Sequence, residues 1–442
     1  MATTYLYRGS GESAANRKTW TWSAWIKRSK LSSQMMIVAC SADSSNRAYL
    51  YFTNGDTIGF TEDGGTIDIY TTRKFRDTNS WYHIILACDT TQGTASNRMK
   101  LYVNGEQVAL DNGSQPSQDY LLHFNRGGSY IPYIGTRAGQ NPHYFDGCMS
   151  HIAHVNGTQE LPTIFGETDS TTGEWKIKTS ITPSNGWGTN GYHILKDGNS
   201  GTDQSGQSNN WTVGAGTLTK TEDNPSNVFA VNNPLASSGI TISFGNTSAY
   251  KAGSGWNNVS STLGASTGKY YAECKVNGVG SNGVGIGFVN LDKSNLQNSS
   301  IQGGEDNFSA GIYSNSGAIF YSSGTAWKTV GALSNGDIVQ LAMDLDNGFL
   351  YWGKNGTWFD SANPESGSTG TGGLAISNLT SGGTYAFNTS VRNGGDVRWN
   401  YGNGFFEVTA VSSAGTNASG NGIFEYDVPA NFTALSTKGL NL

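Results

Sequence analysis

Three clusters in the chain combine residue types and spacings that could do chemistry. Glu425-Tyr426-Asp427 begins a Glu-x-Asp-x-x-Glu pattern. On a strand, that pattern would line up an acid and a nucleophile on one face, at the short carboxylate separation of a retaining glycoside hydrolase. The last position is Ala430, so these carboxylates are expected to be solvent-facing residues of a terminal strand. Gly264-Ala-Ser266-Thr-Gly268 fits Gly-x-Ser-x-Gly, which makes a nucleophile only at a strand-to-helix elbow. A strand-like run at 269–276 follows it, so a β-turn is expected instead. Cys148-x-x-His151-x-x-His154 has the look of metal spacing. On a regular strand Cys148 and His154 point one way and His151 the other, which denies one ion all three. Gly283-Val-Gly-Ile-Gly287 lies in a strand-like run with no helix after it, and so lacks a dinucleotide fingerprint.

The elements that would carry these residues are strands. Apolar residues alternate in Lys18-Thr-Trp20-Thr-Trp22-Ser-Ala24-Trp25-Ile-Lys27, and again at Met99, Leu101 and Val103. The second run ends in Asn104-Gly105, the favoured pair for a type I′ hairpin turn. The same design recurs where 349–352 leads into Asn355-Gly356. Leu101-Tyr-Val-Asn-Gly105 and Leu350-Tyr-Trp-Gly-Lys-Asn-Gly356 form a faint internal echo, too short to define a repeat. The 60 glycines among 442 residues are about twice the usual ~7%. Charged residues are 14%, well under the usual ~25%. With 12 Trp, 21 Tyr and 18 Phe the chain is too aromatic to be disordered. Glycine without a fixed period excludes collagen, and the want of charged heptads excludes a coiled coil. A net charge of −6 with no basic run argues against nucleic acid. The longest apolar run, 35–40, is far short of the ~20 residues of a membrane span. The polar start, Met1-Ala-Thr-Thr-Tyr-Leu-Tyr-Arg8, lacks a signal-peptide core, so synthesis in a cytoplasm is expected. Cys40, Cys88, Cys148 and Cys274 form no CxxC pair and are expected as free thiols.

Beyond these patterns the chain resembles known families. Asn16–Arg28, then Trp81-Tyr-His-Ile-Ile-Leu-Ala-Cys-Asp89, Lys100-Leu-Tyr-Val-Asn-Gly-Glu106 and Tyr144-Phe-Asp-Gly-Cys-Met-Ser-His-Ile-Ala-His-Val155 look, in order, like a laminin-G/concanavalin-A-like sandwich. Gly268-Lys-Tyr-Tyr-Ala-Glu273, Gly283–Phe288, Gly336–Gly348, Tyr351-Trp-Gly-Lys-Asn-Gly356 and Val397-Arg-Trp-Asn-Tyr-Gly402 resemble a SPRY domain. Asn190-Gly-Tyr-His-Ile-Leu195, 203–212, 223–229 and 424–435 are similar to linker and terminal motifs of tailed-bacteriophage virion proteins that carry these two domains in this order. The fold expected is all-β: two antiparallel β-sandwiches of jelly-roll or concanavalin type, joined by a Gly/Ser/Asn-rich linker. The first sandwich is expected over 1–158 and the linker, with strands completing or bridging the sandwiches, over 159–235. The second sandwich is expected over 236–405, with a C-terminal strand segment over 406–442.

The resemblance implies a virion protein, non-enzymatic, placed in a tail fibre or tail tip and binding a host surface glycan or receptor protein. The alternative it implies is a structural head-decoration or tail protein that contacts other virion proteins; a glycan-degrading enzyme ranks behind both. A fibre would imply a homotrimer, although the chain has no heptad or triple-helix stalk of its own. Sugars favour aromatic platforms with neutral hydrogen-bonding groups. Trp327 and Trp358, which flank SPRY-like loops, and Trp187, Trp211 and Trp256 lie in turn-like surroundings and are the tentative ligand residues. Trp20, Trp22, Trp25 and Trp81 are expected in the core. Laminin-G-like sandwiches often hold Ca²⁺ at a rim, and Asp56, Asp63, Asp89 and Asp146 are the candidate carboxylates. No other cofactor is implied.

Overall fold

A computed structural model describes the chain except for residues 1–2, 10–11, 63–66, 112, 138–142, 199, 238, 282, 297–300, 381 and 442. The chain divides into two compact units. Met1–Lys220 with Asn224–Ser226 forms the first, and Thr221–Asp223 with Asn227–Leu442 the second. Both are antiparallel sandwiches with only short 3₁₀ turns, as the period-two patterning requires. Among the described residues no helix is long and apolar enough to cross a membrane.

In the first unit a seven-stranded sheet runs in the order Thr212–Ala215, Tyr5–Tyr7, Ile131–Ile134, Met35–Ser41, Arg47–Phe52, Ile58–Glu62, Ile67–Tyr70. It faces a six-stranded sheet ordered Tyr192–Ile194, Gly147–Asn156, Thr19–Arg28, Tyr82–Asp89, Met99–Val103, Glu106–Gln107. Trp20, Trp22, Ala24 and Ile26 point between the sheets, where they meet Phe60, Leu86 and Phe124. The intervening residues Thr21, Ser23, Trp25 and Lys27 are buried as well. The outer face of this sheet is therefore covered too. Phe165, Ile164, Ile181 and Trp187 pack there on Ile85, Tyr102, Ala153 and Val155.

The stretch expected as a linker is thus largely structure of the first unit. Tyr192–Ile194 and Thr212–Ala215 are edge strands of its two sheets, and 161–187 is its outer layer. Asp203 builds this part: its carboxylate accepts from the backbone N–H of His193, Ser205 and Asn209, at 2.8–2.9 Å.

The second unit has a sheet ordered Thr241–Ser243, Ser248–Lys251, Gly395–Asn400, Lys269–Gly278, Ile338–Asp344, Phe349–Lys354, Thr357–Trp358. The opposing sheet runs Asn257–Ser260, Tyr385–Val391, Val284–Asn290, Ser309–Tyr313, Ala318–Tyr321, Thr325–Thr329. Phe288, Trp352, Phe387 and Trp399 fill the space between them. The echo noted in the sequence is real at the level of hydrogen bonds. Asn104 and Asn355 have φ of 51° and 49°, followed by Gly105 and Gly356 at 83° and 84°. Each asparagine Oδ1 accepts from the strand beside it, His83 N–H and Ile338 N–H respectively, both at 2.8 Å.

Residues 406–442 also form a covering layer. Phe424, Val428 and Phe432 lie on Tyr271, Ala342 and Tyr351, on the outer face of the larger sheet. Thr433–Ala434 runs parallel beside Tyr270 and Tyr271, and Ala230 N–H donates to Leu435 O. Residues 422–428, expected within the terminal strand segment, form no strand. Their N–H groups go to a carboxylate instead of a ladder: Glu425 and Tyr426 donate to Glu273 at 2.8 Å each. Tyr271 OH and Asn400 Nδ2 complete the set around Glu273, at 3.0 and 3.3 Å. Burial pushes the Glu273 carboxyl up to about 7, against those four hydrogen bonds, which favour its charged form.

Glu273→Ala would leave these donors unmet and should cost roughly 3 kcal/mol. Denaturant titration checks the loss, and hydrogen exchange should show the Glu425 and Tyr426 amides losing protection. Unchanged protection would mean that the carboxylate does not hold this layer.

Candidate functional site

Each sequence-derived candidate among the described residues has a definite place. Glu425 and Asp427 are turn-builders: Glu425 accepts from Ser412 N–H and Oγ–H, and Asp427 from Thr416 N–H at 2.6 Å and Oγ1–H at 2.8 Å. The Cys148–His154 run contains a bulge between Ser150 and Ala153 that inverts the expected faces. Cys148 lies opposite Lys27 on the outer face, and His151 lies on that face beside His193. His154 points inward, where its Nε2 meets Asn125 Oδ1 at 3.1 Å. Among the described residues no group of three or more His, Cys, Asp or Glu could hold a metal ion.

The calcium candidates do not gather into one site either. Asp56 is buried between two arginines, 3.0 Å from Arg28 and 3.0 Å from Arg76, and accepts from Ser32 N–H at 2.7 Å. Its charge is already compensated. Asp89 pairs with Thr19, at the opposite end of strand Thr19–Arg28 from Ser29, whose N–H donates to Asp146 O. Ten residues at ~3.3 Å each separate those ends. Asp63 lies outside the described residues.

The five tryptophans are spread over both units. Trp211 is buried edge-on against Tyr192 in the first core. Trp256 is buried against Tyr313 with the Arg392 guanidinium 4.4 Å above its ring. Neither can stack a sugar, because the rings are already covered. Trp187 stacks on His193 at 5.7 Å within the outer layer of the first unit. Trp327 packs 6.4 Å from Trp352, at the edge of the second core, under Lys328. Trp358 lies on the outer face of the other sheet, 6.3 Å from Tyr271. These three remain half-buried, Trp187 in the first unit and Trp327 and Trp358 on different sheets of the second.

Two aromatic groupings escaped the tryptophan-based reading. On the outer face of the six-stranded sheet, Trp25 stacks on His83 at 4.7 Å and 2°. Trp175 Nε1–H donates to His83 Nδ1 at 2.9 Å. An indole nitrogen only donates, so the His83 proton sits on Nε2 and faces Ser23 Oγ at 2.8 Å. Trp175 fits because Gly105 and Gly166 lie beneath it; a Cβ on either would come within 2.6 Å of the ring. On the outer face of the seven-stranded sheet, register places Tyr7, Tyr133, Ala39, Tyr49, Thr61 and Asp68 in one rung across six strands. The signal was legible as Tyr5-x-Tyr7 and Tyr49-x-Tyr51. Arg137 lies over Tyr49 at 4.8 Å, so part of this face is covered.

A cavity of about 360 Å³ opens at one end of the second unit. Three segments build it: the 266–268 turn, the 345–349 hairpin and the 375–385 stretch. Backbone bonds tie them together. Leu345 N–H donates to Gly268 O, Ile376 N–H to Gly348 O, and Ala265 and Tyr385 exchange a pair, all at 2.8–2.9 Å. Ser266 lies in this wall, exposed, with a strand after it as expected. All six histidines lie in residues 83–193, so Ser266 has no imidazole base in its own unit.

Burial holds four of those imidazoles neutral: His83 and His154 near about 3, His151 and His193 near about 4. The unfolded chain therefore takes up these protons first as pH falls below ~6.5. The first unit should lose stability steadily between pH 6.5 and 4. Glu12, pushed up to about 7 by burial, and Asp146, raised by burial as well, oppose this, while His143, lowered by burial, adds to it. In the second unit Glu273 has the opposite sign, so lowering pH from 7 to 4.5 favours its folded form. Hydrogen exchange resolved by unit across this range checks the contrast; parallel curves would contradict it.

Residues 2–165 match the model of the concanavalin A-like lectin/glucanases superfamily. The match stops before Tyr192–Ile194 and Thr212–Ala215, which complete the two sheets. No curated protein matches the chain. Among solved structures it is similar to the SPRY domain of human HERC1, at 14% identity and a TM-score of 0.30, over 38% of this chain and 96% of that one. It is also similar to a human SPRY domain, at 14% and 0.28, over 37% and 94%, and to the TRIM65 PSpry domain, at 14% and 0.28, over 38% and 89%. The chain thus carries a concanavalin A-like lectin fold at its N-terminal side and has SPRY domains among its structural neighbours.

Proposed function

We propose that the chain is a non-enzymatic appendage protein of a tailed-bacteriophage virion, which binds a host surface glycan or protein through the loop ends of its sandwiches. The observation that carries this reading is the covering of sheet faces. In the first unit 161–187 occupies the outer face of the six-stranded sheet, and in the second the 424–434 segment occupies that of the larger sheet. The loop ends are left open beside these layers, and loops are where sandwiches usually carry function. The carboxylates at Glu425, Asp427, Asp56 and Glu273 are committed to local bonds, which favours binding over acid–base chemistry. The order of linker and terminal motifs supports the virion assignment, and the lectin-type match supports a glycan ligand.

The test is binding of the intact, multimerised chain to host cells and to their isolated surface polysaccharide, with reducing ends assayed in the same samples. Saturable binding without new reducing ends is expected. No binding, or release of reducing ends, would overturn the reading.

A further inference from the structure

We infer that the cavity at the 345–349 end of the second unit is a binding subsite for one neutral saccharide residue. This rests on the glycan-binding reading above and names the place and ligand class. Its volume of about 360 Å³ lies in the lower part of the small-ligand range, roughly 300–1,000 Å³. None of the side chains lining it is ionisable near neutral pH. The hydroxyls of Ser266 and Ser377 are exposed and make no hydrogen bond within the described residues. Asn347 donates its Nδ2–H to Asp344 at 2.8 Å, which fixes the amide and leaves Oδ1 to accept. Leu345, Phe349, Ile376 and Tyr385 supply its apolar lining, the Phe349 ring itself being packed against Gly370 and Tyr351 on the outer face of the larger sheet. Hydroxyl and amide groups around an apolar lining match the polar rim and C–H face of a pyranose.

Charge argues for a neutral residue over an acidic one. Two carboxylates flank the wall: Asp346 accepts from Gly268 N–H at 2.7 Å, and Asp292 from Thr384 N–H at 2.8 Å. Lys269 is bound to the buried Asp344 at 2.8 Å, and so is not free to attract a uronate. The wall is also fixed before binding, because the three segments are joined by the backbone bonds given above. That lowers the ordering cost of a weak ligand.

A single sugar in so open a site should bind on the order of 1 mM, an affinity that avidity multiplies in an assembled particle. Saturation-transfer NMR on the full chain reads this range. The probes are the methyl glycosides of glucose, galactose and N-acetylglucosamine, with glucuronic acid as the anionic arm. Ser266→Trp and Ser377→Trp, both at exposed positions, fill the cavity without touching the core. Transfer to at least one neutral probe is expected, falling at least tenfold in both variants while thermal unfolding is unchanged. Transfer only to glucuronic acid, or neutral transfer equal in both variants, would overturn the subsite. Host-cell binding that persists with no transfer to any probe would overturn the subsite and leave the adhesin reading standing.

Discussion

The central sheets of this protein are apolar on both faces, and the rest of the structure follows from that constraint. A two-sheet sandwich buries one face of each sheet and leaves the other to water. Here strand Thr19–Arg28 buries Trp20 and Trp22 on one side and Trp25 on the other. Lys269–Gly278 does the same with Tyr270 and Tyr271. Burying such rings is favourable only if the chain supplies a third layer. In the first unit that layer is 161–187, and in the second it is the C-terminal segment. Both are irregular, so their backbone groups need partners that a ladder would otherwise provide. Glu160, which accepts from Ser184 N–H, and Glu273 and Asn400, which meet the C-terminal segment, supply some of them. Glycines such as Gly105 and Gly166 give the covering rings their room.

Much of this was legible in the sequence. Alternating Trp and aliphatic residues gave the strands, and Asn-Gly pairs located the hairpins with both residues at positive φ. The core tryptophans were assigned from the same alternation. The covering layers were harder to see. Residues 159–235 read as a linker with strands completing or bridging the sandwiches, and 406–442 as a terminal strand segment; that parts of both are covering layers depends on contacts far away in sequence. Glu273 meets residues 425 and 426 over a separation no local pattern reveals. The bulge at Ser150–Ala153 is a second case. One extra residue puts Cys148 and His154 on opposite faces, where a regular strand would put them on one.

The site shows the same limit. Trp211 and Trp256 stand in turn-like sequence yet are core residues, because irregular segments fold over them. The tyrosine rung has a sequence signal in Tyr5-x-Tyr7 and Tyr49-x-Tyr51, but its alignment across six strands is set by register. The loop-end cavity joins segments around 266, 347 and 377, and only the tertiary fold brings these together. Ser266 lies in a turn before a strand, as its sequence predicts, and only the tertiary fold places that turn in an uncharged wall.

If the sheet faces are occupied and the loops meet the outside, the orientation of the second unit in an intact particle is decisive. A cryo-electron microscopy map of the virion would read it directly. The account expects the 345–349 hairpin and its cavity to face solvent at the particle surface. Finding that end sealed against another virion protein would contradict it and make the chain a structural component instead.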